Sequence, residues 1–124
     1  MIAHLLAAIT VLALSAQPAP TASDATAVLT EKTAAVYLVI NNPTMYDIYV
    51  TSATSDVAGK VEIYSGDKAA PDMTVSSYGS LQLKAGGMFL RLSDLKRELK
   101  AGESITVTMM TDGGVAIAAT AVVK

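Results

Sequence analysis

The sequence predicts an all-β fold, a Greek-key β-sandwich of about seven to nine strands with one short helical turn. Three observations carry this expectation. Short runs rich in valine, isoleucine, threonine and tyrosine recur from residue 35 onward, clusters of glycine, proline and asparagine separate them, and only Ser93 to Leu99 carries helical signals. Strands at such short spacing must bury one face, which a second packed sheet provides.

Taken in order, the first segment stands apart from the fold. Ile2 to Leu14 (IAHLLAAITVLAL) is an apolar run followed by Ser15-Ala16 and Gln17-Pro18-Ala19-Pro20. That is the order of a hydrophobic region, a small-residue cleavage site and a spacer, so residues 1–16 read as a signal peptide cut after Ala16. No Lys or Arg precedes the run, which departs from the usual pattern. An uncleaved anchor is the alternative, but such a run spans roughly 20 Å of a hydrocarbon core roughly 30 Å thick. Residues 17–25 (QPAPTASDA) are small and polar and read as a disordered leader, leaving 26–124 as the folded domain.

Within the domain, strands are expected at Ala35 to Asn41, Asp47 to Ala53, Lys60 to Ser65, Ser80 to Lys84, Met88 to Leu92, Ser104 to Thr111 and Val115 to Val123. Strict alternation puts Ile105, Val107 and Met109 on one face of their strand, and Thr106, Thr108 and Met110 on the other. Asn41-Asn42-Pro43, Ala85-Gly86-Gly87 and Asp112-Gly113-Gly114 supply the backbone angles of tight reversals, the last of them as a hairpin. Ser93 reads as the N-cap of the helical turn, with Asp94 in its first turn and Gly102 beyond its end.

A chain of 124 residues has room for one domain. Its net charge of −2, with basic residues scattered except at Lys96-Arg97, gives no field for gripping phosphate backbones and excludes nucleic acid as a partner. With no cysteine there is no disulfide framework and no lipid-anchored N-terminal cysteine, and no stable membrane anchor is expected. The one histidine, His4, lies in the segment read as a signal peptide. The mature domain therefore lacks a thiol nucleophile, an imidazole base and a zinc site of Cys/His type, and no enzyme is expected. The carboxylates lie singly, several beside turns, as at Asp67, Asp72 and Asp112. The glycine pairs lie between strands, where they serve turns and not phosphates. Soft donors remain in Met45, Met73, Met88, Met109 and Met110, whose sulfur suits Cu(I); core packing is the alternative and is preferred for Met109.

Tyr37-Leu38-Val39-Ile40-Asn41-Asn42-Pro43, Asp47-Ile48-Tyr49-Val50 and Val57 to Tyr64 (VAGKVEIY), followed by Leu83 to Gly87, Leu95 to Glu103 and Val107-Thr108-Met109, together resemble the periplasmic copper chaperone PCu(A)C family. The resemblance covers about residues 34 to 123. It implies a cupredoxin-like sandwich that holds Cu(I) at one edge, a role in supplying the copper centre of cytochrome oxidase, a protein partner and a periplasmic or secreted location.

The family's copper motif is a His, ten residues, a Met, twenty-one residues and a His-x-Met triplet. Against it Tyr64 stands at the first His, Met73 matches the first Met, Phe89 replaces the second His and Arg91 the second Met, and both intervals are shorter here. An arginine is permanently cationic and has no lone pair to give, so it opposes Cu(I) at that position. Alternation puts Phe89 and Arg91 on one face, and the expectation is a filled Tyr64–Phe89–Arg91 cluster with Arg91 over a ring; three unconnected surface residues are the alternative. The resemblance thus implies a divergent copper chaperone whose metal site is largely lost, keeping Met73 as a metal ligand and Cu(I) as candidate cargo, with Met88 and Met45 as candidates for a rearranged set. The alternative is a metal-independent protein-binding module, with Tyr46, Tyr49, Tyr64 and Tyr78 as candidate contacts.

Overall fold

The computed structural model describes residues 18–124. The expected signal peptide, residues 1–16, lies outside the described residues. Ten strands make up the described chain: β1 (Thr21–Leu29), β2 (Ala34–Asn41), β3 (Ile48–Ser55), β4 (Ala58–Ser65), β5 (Lys68–Ala69), β6 (Met73–Val75), β7 (Ser80–Gln82), β8 (Met88–Leu95), β9 (Ser104–Thr111) and β10 (Ala116–Val123). The fold is all-β, as expected, and the seven expected runs correspond to β2, β3, β4, β7, β8, β9 and β10. Of the three strands beyond them, β5 and β6 have two and three residues, too few for any periodicity to show.

The strands form one sheet in the order β5-β4-β8-β2-β1-β10-β9-β3-β6, with β7 on β2. A bridge between Ser55 of β3 and Ala58 of β4 joins the strands next to the two ends of that path, so the sheet rolls on itself. Pairing is antiparallel throughout except between β1 and β10, which run parallel at Thr26–Val122 and Ala27–Val123.

Alternation decides which side chains enter the rolled sheet. In β2 Val36, Leu38 and Ile40 are buried; in β8 Leu90 and Leu92; in β9 Ile105, Val107 and Met109; in β10 Ile117, Ala119, Ala121 and Val123. Each large aliphatic side chain removed from water in this way contributes about 1.5 to 3 kcal/mol before entropy is counted. The β9–β10 hairpin turns where expected. Gly114 sits at φ +82°, a region costly for other residues, and its N–H donates to the Thr111 carbonyl at 3.0 Å.

Two local expectations are corrected. Residues 21–25, read as part of a disordered leader, belong to β1, which pairs with β2 from Thr21–Asn41 to Leu29–Ala34. The pairing is interrupted between Ser23 and Thr26, where Asp24 has φ 54°. Small polar residues lack the pattern of a strand, but Thr21 to Ser23 pair with β2, and from Thr26 the strand is flanked by both β2 and β10. The helical turn at 93–99 does not form. Ser93 and Leu95 continue β8 opposite Lys60 and Ala58, Asp94 has φ 54°, outside the right-handed helical region, and the Lys96 N–H donates to the Val57 carbonyl at 2.9 Å. Pairing with β4 overrides a weak local helix signal. No helix among the described residues is long and apolar enough to cross a membrane.

Candidate functional site

Three of the residues singled out from the sequence, Tyr64, Phe89 and Arg91, meet on the outer face of the adjacent strands β4 and β8, beside β2. In the β4–β8 ladder Tyr64 is opposite Phe89 and Glu62 opposite Arg91. Because Ile63, Leu90 and Leu92 fill the core, alternation turns Tyr64, Phe89 and Arg91 outward. On the other flank β2 sets Ala35 opposite Arg91 and presents Tyr37, between buried Val36 and Leu38, on the same outer face.

The side chains form a connected cluster. Arg91 Nη1 donates to the Tyr64 phenol oxygen at 2.9 Å, and the guanidinium carbon lies 5.1 Å from the Tyr64 ring centre, within cation–π range. Tyr64 and Phe89 have ring centres 5.6 Å apart at 33°, and Phe89 and Tyr37 are 6.1 Å apart at 58°. Such offset and tilted pairs contribute about 0.5 to 1.5 kcal/mol each beyond burial. Beside the cluster is an open cavity of about 360 Å³, lined also by Thr30, Thr33 and Asp67. The expected grouping of Tyr64, Phe89 and Arg91 is therefore present. Tyr37 was missed: its outward direction was readable from alternation, but the adjacency of β2 and β8 was not.

Phenol, phenyl and guanidinium groups supply no thioether, thiolate or imidazole. Met73 is not part of this cluster; it pairs opposite Val50 in the β3–β6 ladder and is buried at 1% exposure. Met109 is wholly buried, Met88 packs against the core, and Met45 stands on the surface at 62% exposure. Among the described residues no three or more His, Cys, Asp and Glu side chains group as a metal site would require.

The tyrosines divide between two places. Tyr46 and Tyr78 are strongly exposed and Tyr49 less so, whereas Tyr64 is half-buried within the cluster. The Tyr46 and Tyr78 loops are tied together by Asn42, a buried side chain that donates to the carbonyls of Tyr46, Val75 and Ser76, and by the Tyr78 N–H donating to the Thr44 carbonyl at 3.0 Å.

Comparison with known proteins places this geometry in context. Residues 10–123 match the family model described as "Putative lipoprotein LpqE-like". No curated protein matches the chain. Among solved structures the chain is similar to the copper-bound PCuAC domain from PmoF2, at 13% identity and TM-score 0.74 over 83% of this chain and 90% of that one. It is similar to the apo PCuAC domain from PmoF1, at 21% identity and TM-score 0.69 over 85% and 88%. It is also similar to Cu(I)-bound DR1885 from Deinococcus radiodurans in its solution structure, at 25% identity and TM-score 0.71 over 89% and 82%.

Proposed function

The chain belongs to the LpqE-like family and has the fold of PCuAC copper-chaperone domains, and from this premise we propose that it is an exported, non-enzymatic binding domain that works without a metal in the ancestral copper position. The observation that carries the reading is the Arg91–Tyr64 contact, 2.9 Å from Nη1 to the phenol oxygen, with Phe89 stacked beside it. Tyr64, Phe89 and Arg91 are the residues assigned to the histidine and second methionine positions of the copper motif. None of the three is a soft donor, and a fixed positive charge stands among them. Met73, assigned to the remaining ligand position, has its thioether in the core. This donor set does not fit Cu(I).

Export rests on the apolar run and small-residue site at residues 2–16, and the N-terminus of the secreted protein, read by mass spectrometry, is expected at Gln17. The partner is proposed to be another exported protein, with the exposed Tyr46–Tyr78 end as its contact surface.

A second reading keeps Cu(I) as cargo, handled toward oxidase assembly. It is favoured by the copper carried by two of the similar structures and by the exposed thioether of Met45. Equilibrium titration with Cu(I) against a competing chelator separates the two. The expected result is binding no tighter than that of free methionine, unchanged in Met73→Ala. Tighter binding, lost in Met45→Ala or Met73→Ala, would establish the copper reading. Restoring the motif with Tyr64→His, Phe89→His and Arg91→Met together is expected to raise Cu(I) affinity if the lineage assignment holds.

A further inference from the structure

Arg91 is a half-buried cation with no carboxylate oxygen within ion-pair distance among the described residues. Among the described residues the ion pairs are Lys60–Glu62 at 3.7 Å and Arg97–Glu103 at 2.9 Å. Glu62, directly opposite Arg91 in the ladder, lies beyond ion-pair distance of it and makes a weak surface pair with Lys60, so it offsets part of the Arg91 charge while taking none of the guanidinium donors. A guanidinium carries five N–H donors in a planar fork, and one of them is used on Tyr64. Removing a charge from water costs free energy unless a counter-charge or hydrogen bonds replace the lost hydration. Here the replacement is partial: the guanidinium rests on the Tyr64 ring, and Arg91 lines the open cavity on its other side.

We infer that the cavity beside Tyr37, Tyr64, Phe89 and Arg91 binds a monovalent carboxylate carried on a flat apolar body. The inference rests on the metal-independent reading above and names the ligand class of that same site. Each part of the ligand has a matching part of the wall. The Arg91 fork suits the two oxygens of a carboxylate better than a spherical anion. Tyr37 and Phe89 present ring surface to an apolar or aromatic body. The open recess of about 360 Å³ has room for a small molecule held on one side. Hydroxyls of Thr30 and Thr33, 2.6 Å apart, add polar contacts at the rim. Asp67 on the same wall opposes a second negative charge, so one carboxylate is favoured over a phosphate dianion.

The test is titration of the isotope-labelled chain, followed by NMR, with benzoate, its neutral analogue benzamide, N-acetylphenylalanine and inorganic phosphate. Benzoate is expected to shift the resonances of Tyr37, Tyr64, Phe89 and Arg91 saturably, with Kd on the order of 1 mM. Benzamide is expected to bind about tenfold more weakly or worse, as is benzoate to Arg91→Gln, because a charge-assisted hydrogen bond is lost in each case. Phosphate is expected not to displace benzoate. Tighter binding of N-acetylphenylalanine than of benzoate would identify a peptide C-terminus as the natural source, and the reverse a free acid.

Shifts confined to other parts of the molecule, equal binding of benzamide and benzoate, or no saturable shift with either acid would overturn the inference. The benzamide comparison needs no variant, so it decides even if Arg91→Gln fails to fold. Tight Cu(I) binding in the chelator titration would instead overturn the metal-independent reading, whether or not benzoate binds. A chain that binds neither copper nor carboxylate keeps that reading and loses this site.

Discussion

At Asn42 one side chain organises two loops. Its two amide hydrogens are shared among the carbonyls of Tyr46, Val75 and Ser76, and its carbonyl oxygen accepts from the backbone N–H and hydroxyl of Thr44. Asn42 is 2% exposed, so truncation leaves those partners short of hydrogen bonds where water reaches them poorly. Asn42→Ala is expected to cost about 2 to 3 kcal/mol in denaturant unfolding, and a loss within error of zero would show that the loops are held by other means. Glu103 carries the pH dependence visible at this scale. Its hydrogen bond from Arg97 holds the carboxyl below the ordinary value of 4.5, helped by the Lys100 N–H. A carboxylate with a lowered folded-state pKa stabilises the fold at pH above its unfolded value, and that contribution disappears as pH falls through the folded value. Stability of the parent chain is therefore expected to fall below about pH 4.5 more steeply than that of Glu103→Gln, as thermal melts across that range would measure.

Among the elements, β1 was the one least visible beforehand and is the most consequential for closure. It lies between β2 and β10, joining the two halves of the sheet path, and the Lys124 N–H donates to the Ala27 carbonyl at 2.8 Å. Amide exchange at residues 26–28 is therefore expected to be slow and comparable with that of β2 residues 35–38. Exchange at the rate of an unstructured tail would show that β1 detaches independently. The seven strands read from the sequence were legible because a half-buried strand imposes a two-residue period, plain in Ile105, Val107 and Met109. β1 shows no such period, since Thr21, Ser23 and Asp24 are exposed and only Ala27 is fully buried. The misread turn at Ser93 to Leu99 has the same origin. Local capping signals are worth about 1 kcal/mol, and strand pairing with β4 outweighs them.

For the whole molecule, burial joins the strands other than β5 into one core, so the fold is expected to be lost in a single transition by near- and far-ultraviolet circular dichroism alike. Met109, fully buried on β9, tests how tightly that core is packed: Met109→Ala is expected to cost about 2 to 5 kcal/mol, and a cost under about 1 kcal/mol would mark a loosely filled interior. The candidate site shows where legibility ends. Alternation alone put Phe89 and Arg91 on one face and made methionine at 109 a core residue, because side-chain direction in a strand is a local property. The sequence by itself determined the all-β class, most strands, the hairpin at Gly114 and the want of histidine and cysteine in the domain. Only the tertiary structure decided that β2 flanks β8, that Tyr37 joins the cluster, that Met73 points into the core and that Arg91 borders a cavity with no ion-paired carboxylate among the described residues. Those facts depend on which distant segments pair and in what register, and that is settled by closing the sheet around a shared core, a free energy no short stretch of residues contains.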